Sequence, residues 1–120
     1  MRQFEDVVRD KGSKYAVSGA PVADRDEAKA FLRALKRNKK YGRATHNSWA
    51  ALLPEGPAKN DDGESGAGMV ILRNLEREGF EGHIIVVTRW YGGVKLGGDR
   101  FRHVQSCVRH YLEHWRMTDE

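Results

Sequence analysis

Three short segments of the chain carry most of the side chains that could bind or act on another molecule. Residues 86–104 read VVTRWYGGVKLGGDRFRHV, so that arginines and aromatic rings lie beside four glycines. Residues 45–51 read THNSWAA, and residues 59–68 read KNDDGESGAG. Exposed Tyr, Trp and Arg side chains dominate binding hot spots, and glycine lets the backbone approach a partner closely. The three segments therefore predict a binding site.

A phosphate site is one alternative for the glycine-rich segment, because a glycine turn before a helix supplies amide donors and positive charge. The spacing argues against it, since Lys95 precedes Gly97 and Gly98 and is not followed by the Ser or Thr of a Walker loop. Asp99, at the predicted start of a helix, would cap the first amides and repel an anion. We therefore expect no nucleotide site.

Hydrolysis is a second alternative, with Ser65 as nucleophile, His46 as base and Asp62 as the group that orients it. However, GESGA has Ala67 where a nucleophile elbow has its last glycine, and a loop precedes it. A single histidine on a strand is more often structural than catalytic. The loop that carries Asp61, Asp62 and Glu64, which we call the acidic loop, could hold a hard cation or favour the start of the following helix. Its acidic residues do not have the spacing of an EF-hand. We predict no catalytic residue, no metal and no cofactor.

A basic segment leaves a third alternative open. Residues 36–43, KRNKKYGR, place five cations around Tyr41. Such a segment could follow a phosphate backbone with the tyrosine as a stacking platform, and Lys95 and Arg102 could extend it. Basic residues are also common at the C-terminal end of a helix, where they interact favourably with the helix dipole. RNA binding therefore remains an alternative.

A purely structural role is also open for the glycine-rich segment. Trp90 could pack on a helix, and Arg89 could pair with a carboxylate. Asp99 could cap the last helix while Arg100 binds an aspartate of the acidic loop.

The hydrophobic pattern predicts the elements that must position these residues. Extended segments around residues 4–8 and 14–18 flank DKGS, which predicts a hairpin. A helix is predicted from Asp24, because Glu27 follows three residues later and apolar residues then recur at helical spacing. The remaining predicted elements are strands at residues 45–53 and 84–88, a loop at residues 54–66, and helices from residue 65 or 66 to 79 and from residue 99.

This order of elements predicts an α+β fold. Residues 84–88 are continuously apolar, as in a strand covered on both faces, so this strand should be central. We expect a two-layer sandwich in which a four-stranded sheet carries the helices on one face. The length of 120 residues suits a single domain spanning residues 1–120.

Composition limits the classes of function. The 21 Lys and Arg residues against 17 Asp and Glu residues give a net charge of +4, which weakly favours an acidic partner. The only cysteine, Cys107, permits no intramolecular disulfide, which suits a reducing compartment such as the cytosol. Neither a signal peptide nor an apolar run of membrane-spanning length is recognisable, so we expect no membrane partner.

The segments THNSWA, DDGESGAG and VVTRWYGGVKLGGDRFRHVQSC together resemble the signature blocks of the YigZ/IMPACT family, in the family's order. The resemblance covers about residues 13–112. Residues 95–101, KLGGDRF, are more similar to the eukaryotic IMPACT type, with Gly-Pro-Asp-Arg-Phe, than to the bacterial Lys-Leu-Gly-Thr-Gly-Gly. Gly98 stands where the eukaryotic subgroup usually has proline, which predicts a looser start of the last helix.

This resemblance implies a fold like the second domain of a small-subunit ribosomal protein and domain IV of elongation factor G, in agreement with the element order above. Eukaryotic members resemble translation regulators that compete with a stress-responsive kinase of the initiation factor for its activating partner. Those members carry an additional N-terminal RWD domain, which is not recognised in these residues. Bacterial members are often regarded as nucleic-acid binders, and the family implies no catalytic residues.

Residues and resemblance together predict a cytoplasmic, non-catalytic binding module of translational control with a protein partner. An RNA-binding domain and, less favoured, a small hydrolase are the alternatives. We expect one exposed face to combine cationic, aromatic and acidic side chains. The predicted binding residues are Arg89, Trp90, Tyr91, Gly92, Gly93, Lys95, Asp99, Arg100, His46, Asn47, Asp61, Asp62 and Glu64.

Overall fold

The computed structural model describes residues 1–117 as an antiparallel sheet of five strands with four helices. The strands lie in the order β1-β2-β5-β3-β4. The predicted α+β class with an open sheet is therefore confirmed. In chain order the elements are β1 (Arg2–Asp10), β2 (Ser13–Pro21), α1 (Arg25–Arg37), α2 (Lys39–Gly42), β3 (His46–Leu53), β4 (Gly56–Asn60), α3 (Ala67–Glu78), β5 (His83–Trp90) and α4 (Asp99–His114).

The β1–β2 hairpin turns through two residues with positive φ, Lys11 at 48° and Gly12 at 84°. Two such residues form the turn whose twist matches that of the flanking strands. The register pairs Asp10 with Ser13. The predicted hairpin is therefore confirmed, with strands longer than the sequence indicated.

Strand β5 is central, as predicted, and its residues 83–89 are buried. Alternate side chains enter two different cores. Ile85 and Val87 join the cluster that contains the buried residues of α3 and α4. Ile84 and Val86 join a second cluster with buried residues of α1. The continuous apolar run is explained by this coverage of both faces.

Two details of the architecture differ from the sequence prediction. Strand β4 lies in the segment predicted as a loop and pairs with β3 from Leu53 opposite Gly56 to Trp49 opposite Asn60. Its Pro57 is tolerated because β4 is an edge strand, where one row of amides needs no ladder partner. Helices α3 and α4 lie on one face, as predicted, whereas α1 covers the opposite face and adds a second helical layer.

The helix starts follow two different patterns. Asp24 caps α1 as predicted, because its side chain accepts a hydrogen bond from the Glu27 amide at 2.9 Å. The predicted cap of α4 is wrong: Gly98 is the N-cap residue and no side chain caps this helix. Asp99 already lies in the first turn, where its carboxylate is 3.3 Å from Arg102.

None of the helices in residues 1–117 has the length and apolar content that a membrane span requires.

Candidate functional site

The ends of β3 and β5, together with the loops before α3 and after β5, enclose a pocket of about 510 Å³, which we call the Arg89 pocket. Six of the predicted binding residues line it, and they come from β3, the loop before α3, β5, the loop after β5 and the first turn of α4. Thr45, Leu96, Gly63 and Gly97 complete the lining and are not among the predicted binding residues. The lining residues are Thr45, His46, Gly63, Glu64, Arg89, Tyr91, Lys95, Leu96, Gly97 and Arg100.

Strand register brings these segments together. His46 of β3 lies directly opposite Arg89 of β5, and Tyr15 of β2 lies opposite Arg89 on the other side. The Thr45 amide donates to the Arg89 carbonyl at 2.9 Å, which extends the pairing beyond the end of β3. Side chains directly opposite each other in a sheet share one face. The pairing of β5 with β2 and β3 therefore places Arg89 between Tyr15 and His46 on one face of the sheet.

A buried ion pair forms the base of the Arg89 pocket. Nη1 of Arg89 donates to the two carboxylate oxygens of Glu64 at 3.0 and 3.1 Å. The same carboxylate lies 3.5 Å from His46 Nε2 and 3.8 Å from Arg100 Nη1. One negative charge thus faces two guanidinium groups and an imidazole. We call these four residues the Glu64 cluster.

The prediction that Arg89 and Glu64 belong to an exposed face is wrong, since they are only 5% and 3% exposed. A charge is buried at acceptable cost only when it is paired and hydrogen-bonded, and these two residues supply each other's partner. The Arg89 guanidinium also lies over the rings of Tyr15 and Tyr91, 5.6 Å from each centroid. The structural alternative, an Arg89–carboxylate pair, is confirmed.

The aspartates of the acidic loop hold the backbone in place and do not line the Arg89 pocket. Asp61 accepts hydrogen bonds from the amides of Gly66 at 3.0 Å and Gly68 at 2.8 Å, and the Gly66 bond is the main reason that its pKa is lowered. The carboxylate of Asp62 accepts a hydrogen bond from the backbone amide of Asn47 at 2.7 Å. The aspartates therefore secure the start of α3 and the start of β3.

The carboxylate partner of Arg100 is also different from the predicted one. Nη1 of Arg100 lies 3.8 Å from Glu64, and within residues 1–117 no aspartate forms an ion pair with Arg100. Because the Asp61 and Asp62 carboxylates are occupied by backbone amides, Glu64 is the acid of this loop that faces the pocket.

Asn47 and Trp90 point away from the pocket and anchor the short helix α2. Asn47 is 3% exposed, and its side-chain amide donates to the Tyr41 carbonyl at 3.0 Å. Nε1 of Trp90 donates to the Lys40 carbonyl at 2.9 Å, and its ring meets that of Tyr41 edge-on at 5.2 Å. The structural alternative for Trp90, packing on a helix, is therefore confirmed. Tyr41 is fully buried, which contradicts the alternative in which its ring serves as a stacking platform.

The loop between β5 and α4, residues 91–98, forms the rim of the pocket. Tyr91 is 47% and Val94 46% exposed, and Lys95 is exposed beside them. Gly92 is required by close packing, because a Cβ there would collide with the backbone of Gly12 in the β1–β2 turn. Gly93 has open space around it but a φ of 92°, which favours glycine. The rim is therefore tied to the hairpin while Tyr91 and Val94 remain exposed and Leu96 is buried in the core.

The hydrolase arrangement is not assembled. The carboxylate of Asp62 bonds to the Asn47 amide, whereas His46 Nδ1 bonds to the Asp62 carbonyl oxygen at 2.9 Å. The other ring nitrogen of His46 faces Glu64. Within residues 1–117 no three His, Cys, Asp or Glu side chains are grouped so as to hold a metal ion.

Comparison with known proteins places this geometry in a family. The family defined as the Impact N-terminal domain matches residues 11–112, which include every residue that lines the Arg89 pocket. The chain belongs to the IMPACT family. It is 36% identical to Protein IMPACT of Rattus norvegicus over 121 residues, covering 93% of this chain and 37% of that protein. It is also 36% identical to the Protein IMPACT homolog of Caenorhabditis elegans, covering 89% of this chain and 45% of that protein.

Solved structures agree with the IMPACT fold. A crystal structure of a hypothetical protein matches with a TM-score of 0.80 at 25% identity, over 93% of this chain and 57% of that one. The two-domain translational regulator Yih1 matches with a TM-score of 0.52 at 29% identity, over 92% of this chain and 44% of that one. This IMPACT-family chain thus spans less than half of the length of the IMPACT proteins and of Yih1.

Proposed function

We propose that this chain is a non-catalytic binding module that takes part in the regulation of translation, in the cytoplasm, by contacting a protein of the translational control machinery. The observation that carries the proposal is the rim of the Arg89 pocket, where Tyr91, Val94 and Lys95 are exposed beside a concave site. Membership of the IMPACT family and similarity to the translational regulator Yih1 support the link to translation.

The rim has the composition of a protein-binding surface. Aromatic and apolar residues are enriched in interface cores and Tyr is enriched among hot-spot residues, whereas a lysine such as Lys95 suits the polar rim of an interface. The buried Arg89–Glu64 pair fixes the strand that carries this rim. A partner therefore meets a preorganised surface, which lowers the entropy cost of binding.

RNA binding is the alternative that one observation favours, because the cations of residues 36–43 are all exposed. Two observations argue against RNA binding through this segment. Tyr41 is buried and cannot stack on a base. Lys40 already contacts the Glu5 carboxylate at 2.6 Å. RNA binding through this segment would show an affinity that falls steeply as salt is raised.

The proposed function can be tested in a cell-free translation extract from the source organism. Purified chain is added at increasing concentration, reporter synthesis is measured, and bound proteins are recovered with and without nuclease treatment. We expect a concentration-dependent change in synthesis, and capture of a translation factor that resists nuclease. The double substitution Tyr91→Ala/Lys95→Ala should abolish both effects, because it removes the exposed ring and cation of the rim.

The matched control is Lys29→Ala/Arg33→Ala, which removes two exposed cations from α1, away from the pocket. It should behave like the unmodified chain. If the rim variant retains full activity, the rim is not the contact surface. If capture is lost on nuclease treatment, the RNA alternative replaces the proposal.

A further inference from the structure

The Arg89 pocket carries an excess of positive charge. Its lining includes three cationic side chains, Arg89, Lys95 and Arg100, but only one carboxylate, that of Glu64. Arg89 uses this carboxylate through two hydrogen bonds, whereas Arg100 stays at 3.8 Å, beyond hydrogen-bond distance. Within residues 1–117 no carboxylate forms an ion pair with Lys95. The charge of the pocket is therefore only partly balanced.

Two buried donors of the pocket residues are also unused. Nε of Arg89 and Nε of Arg100 are inaccessible to solvent and have no hydrogen-bond partner among the described residues. A buried N–H group without an acceptor costs stability, and such groups in native structures call for an explanation. Arg89 itself is 95% buried, since only 5% of its surface is exposed. The pocket thus combines surplus charge with unsatisfied donors.

We infer that the Arg89 pocket binds the carboxylate of an acidic side chain presented by a protein partner. Arg100 and Lys95 would supply the charge-assisted hydrogen bonds, and Tyr91 and Leu96 the apolar part of the lining. This inference rests on the proposed function, because it specifies what the protein partner inserts between the residues of the rim.

A single carboxylate fits the surroundings better than a polyanion. A second cleft of about 280 Å³ begins on the other side of Tyr91, which lines both cavities. Glu5 and Asp6 line that cleft together with Lys14 and Lys40. A nucleic-acid backbone passing over Tyr91 would therefore leave the cationic pocket for a cleft lined by two carboxylates as well as two lysines, whereas a peptide can place an acidic residue in the first cavity and a basic or polar one in the second.

The inference can be tested by titrating the folded chain with a short end-capped poly-Glu peptide while the ¹H–¹⁵N signals of the Arg89 and Arg100 Nε–H groups are followed. Poly-Gln of equal length, inorganic phosphate and a short oligouridylate form the other arms, all at constant ionic strength. We expect saturable shifts with poly-Glu alone. Arg100→Gln should weaken binding about tenfold by removing a charge-assisted hydrogen bond.

The matched control is Arg102→Gln, which removes an exposed guanidinium from the same helix without altering the pocket lining. Its affinity for poly-Glu should equal that of the unmodified chain. The inference is overturned if no arm produces saturable shifts, if both arginine variants lose affinity equally, or if phosphate or oligouridylate binds in preference to poly-Glu.

The two proposals fail in different ways. A translation effect that depends on Tyr91 and Lys95 without any binding of poly-Glu overturns the carboxylate site alone. Binding of poly-Glu with no effect on translation and no captured translation factor overturns the proposed function alone.

Discussion

Glu64 is the residue on which the base of the Arg89 pocket depends. Its carboxylate binds Arg89 of β5 and lies within 4 Å of His46 of β3 and Arg100 of α4. Because a buried charge needs a partner, each of these contacts favours the same arrangement of β3, β5 and α4. A single acidic side chain thus couples the local packing of the pocket to its charge.

Removing the Glu64 charge should destabilise the fold. Glu64→Gln leaves the buried Arg89 guanidinium without a counter-charge, and breaking a buried pair in this way lowers the free energy of unfolding by about 3 kcal/mol. Urea denaturation followed by tryptophan fluorescence measures the change.

The control for this variant is Asp99→Asn, which breaks the exposed pair with Arg102. Exposed pairs contribute below about 1 kcal/mol, so the loss should be small. Equal losses in the two variants would contradict a structural role of the Arg89–Glu64 pair.

At the scale of elements, the acidic loop connects the edge strand β4 to helix α3. Asp61 accepts hydrogen bonds from two amides at the beginning of α3, and the N-cap residue Gly66 has a φ of 86°. A Cβ at Gly66 would lie 2.9 Å from the Phe101 ring of α4. This loop therefore sets how closely α3 and α4 approach, and with them the position of Glu64.

The stability of this connection should depend on pH. The pKa of Asp61 is lowered in the folded state, chiefly by its hydrogen bond from the Gly66 amide. Its contribution is therefore complete above the unfolded pKa, near 3.9, and is lost as the pH falls through the lower folded pKa. We expect Asp61→Asn to be less stable than the unmodified chain at neutral pH and to lose less stability on acidification.

Urea unfolding between neutral pH and pH 3 measures this difference. In Asp61→Asn the slope of the free energy of unfolding against pH should be smaller than in the unmodified chain but not zero. The pKa values of Asp6 and Asp10 are also lowered, chiefly by hydrogen bonds from Arg9 and His103, so these carboxylates keep part of the pH dependence. A Glu81→Gln variant, altered at an exposed position, should keep the original slope. An unchanged slope in Asp61→Asn would contradict a lowered pKa of Asp61 in the folded state.

At the scale of the whole molecule, the sheet separates two apolar cores. The larger contains buried side chains of α3 and α4, and the smaller contains those of α1 and Tyr41 of α2. Cys107 is fully buried in the larger core, where burial raises the pKa of its thiol to about 12. Since the thiolate is the nucleophile, Cys107 should be inert while the core is closed.

Alkylation of Cys107 should therefore report opening of this core. We expect iodoacetamide to label the folded chain only through unfolding, so that the free energy from labelling matches the free energy from urea denaturation. The control moves the thiol by one residue, to the exposed Ser106 position, in a Ser106→Cys/Cys107→Ala variant. Rapid labelling of the control is expected, and equally rapid labelling of the unmodified chain would contradict a closed core.

Local patterns in the sequence determined much of the element order. The cap at Asp24, the turn at Lys11 and Gly12, and the apolar run of β5 each depend on residues within about one turn or strand. Because all the residues of such a local signal are close together in the sequence, these features could be predicted from it, and the structure confirms them. The two prolines around β4 concealed a strand, because only the edge position of that strand makes Pro57 tolerable.

The candidate site was only partly determined by the sequence, which identified the segments and the excess of cations but not their pairing. Arg89 and Glu64 are separated by 25 residues, and they meet because β3 pairs with β5 while Asp61 and Asp62 fix the loop that carries Glu64. Their types and spacing suit an exposed site equally well. The tertiary structure decided their burial, because a charge enters the interior only where strand register brings its partner within hydrogen-bond distance.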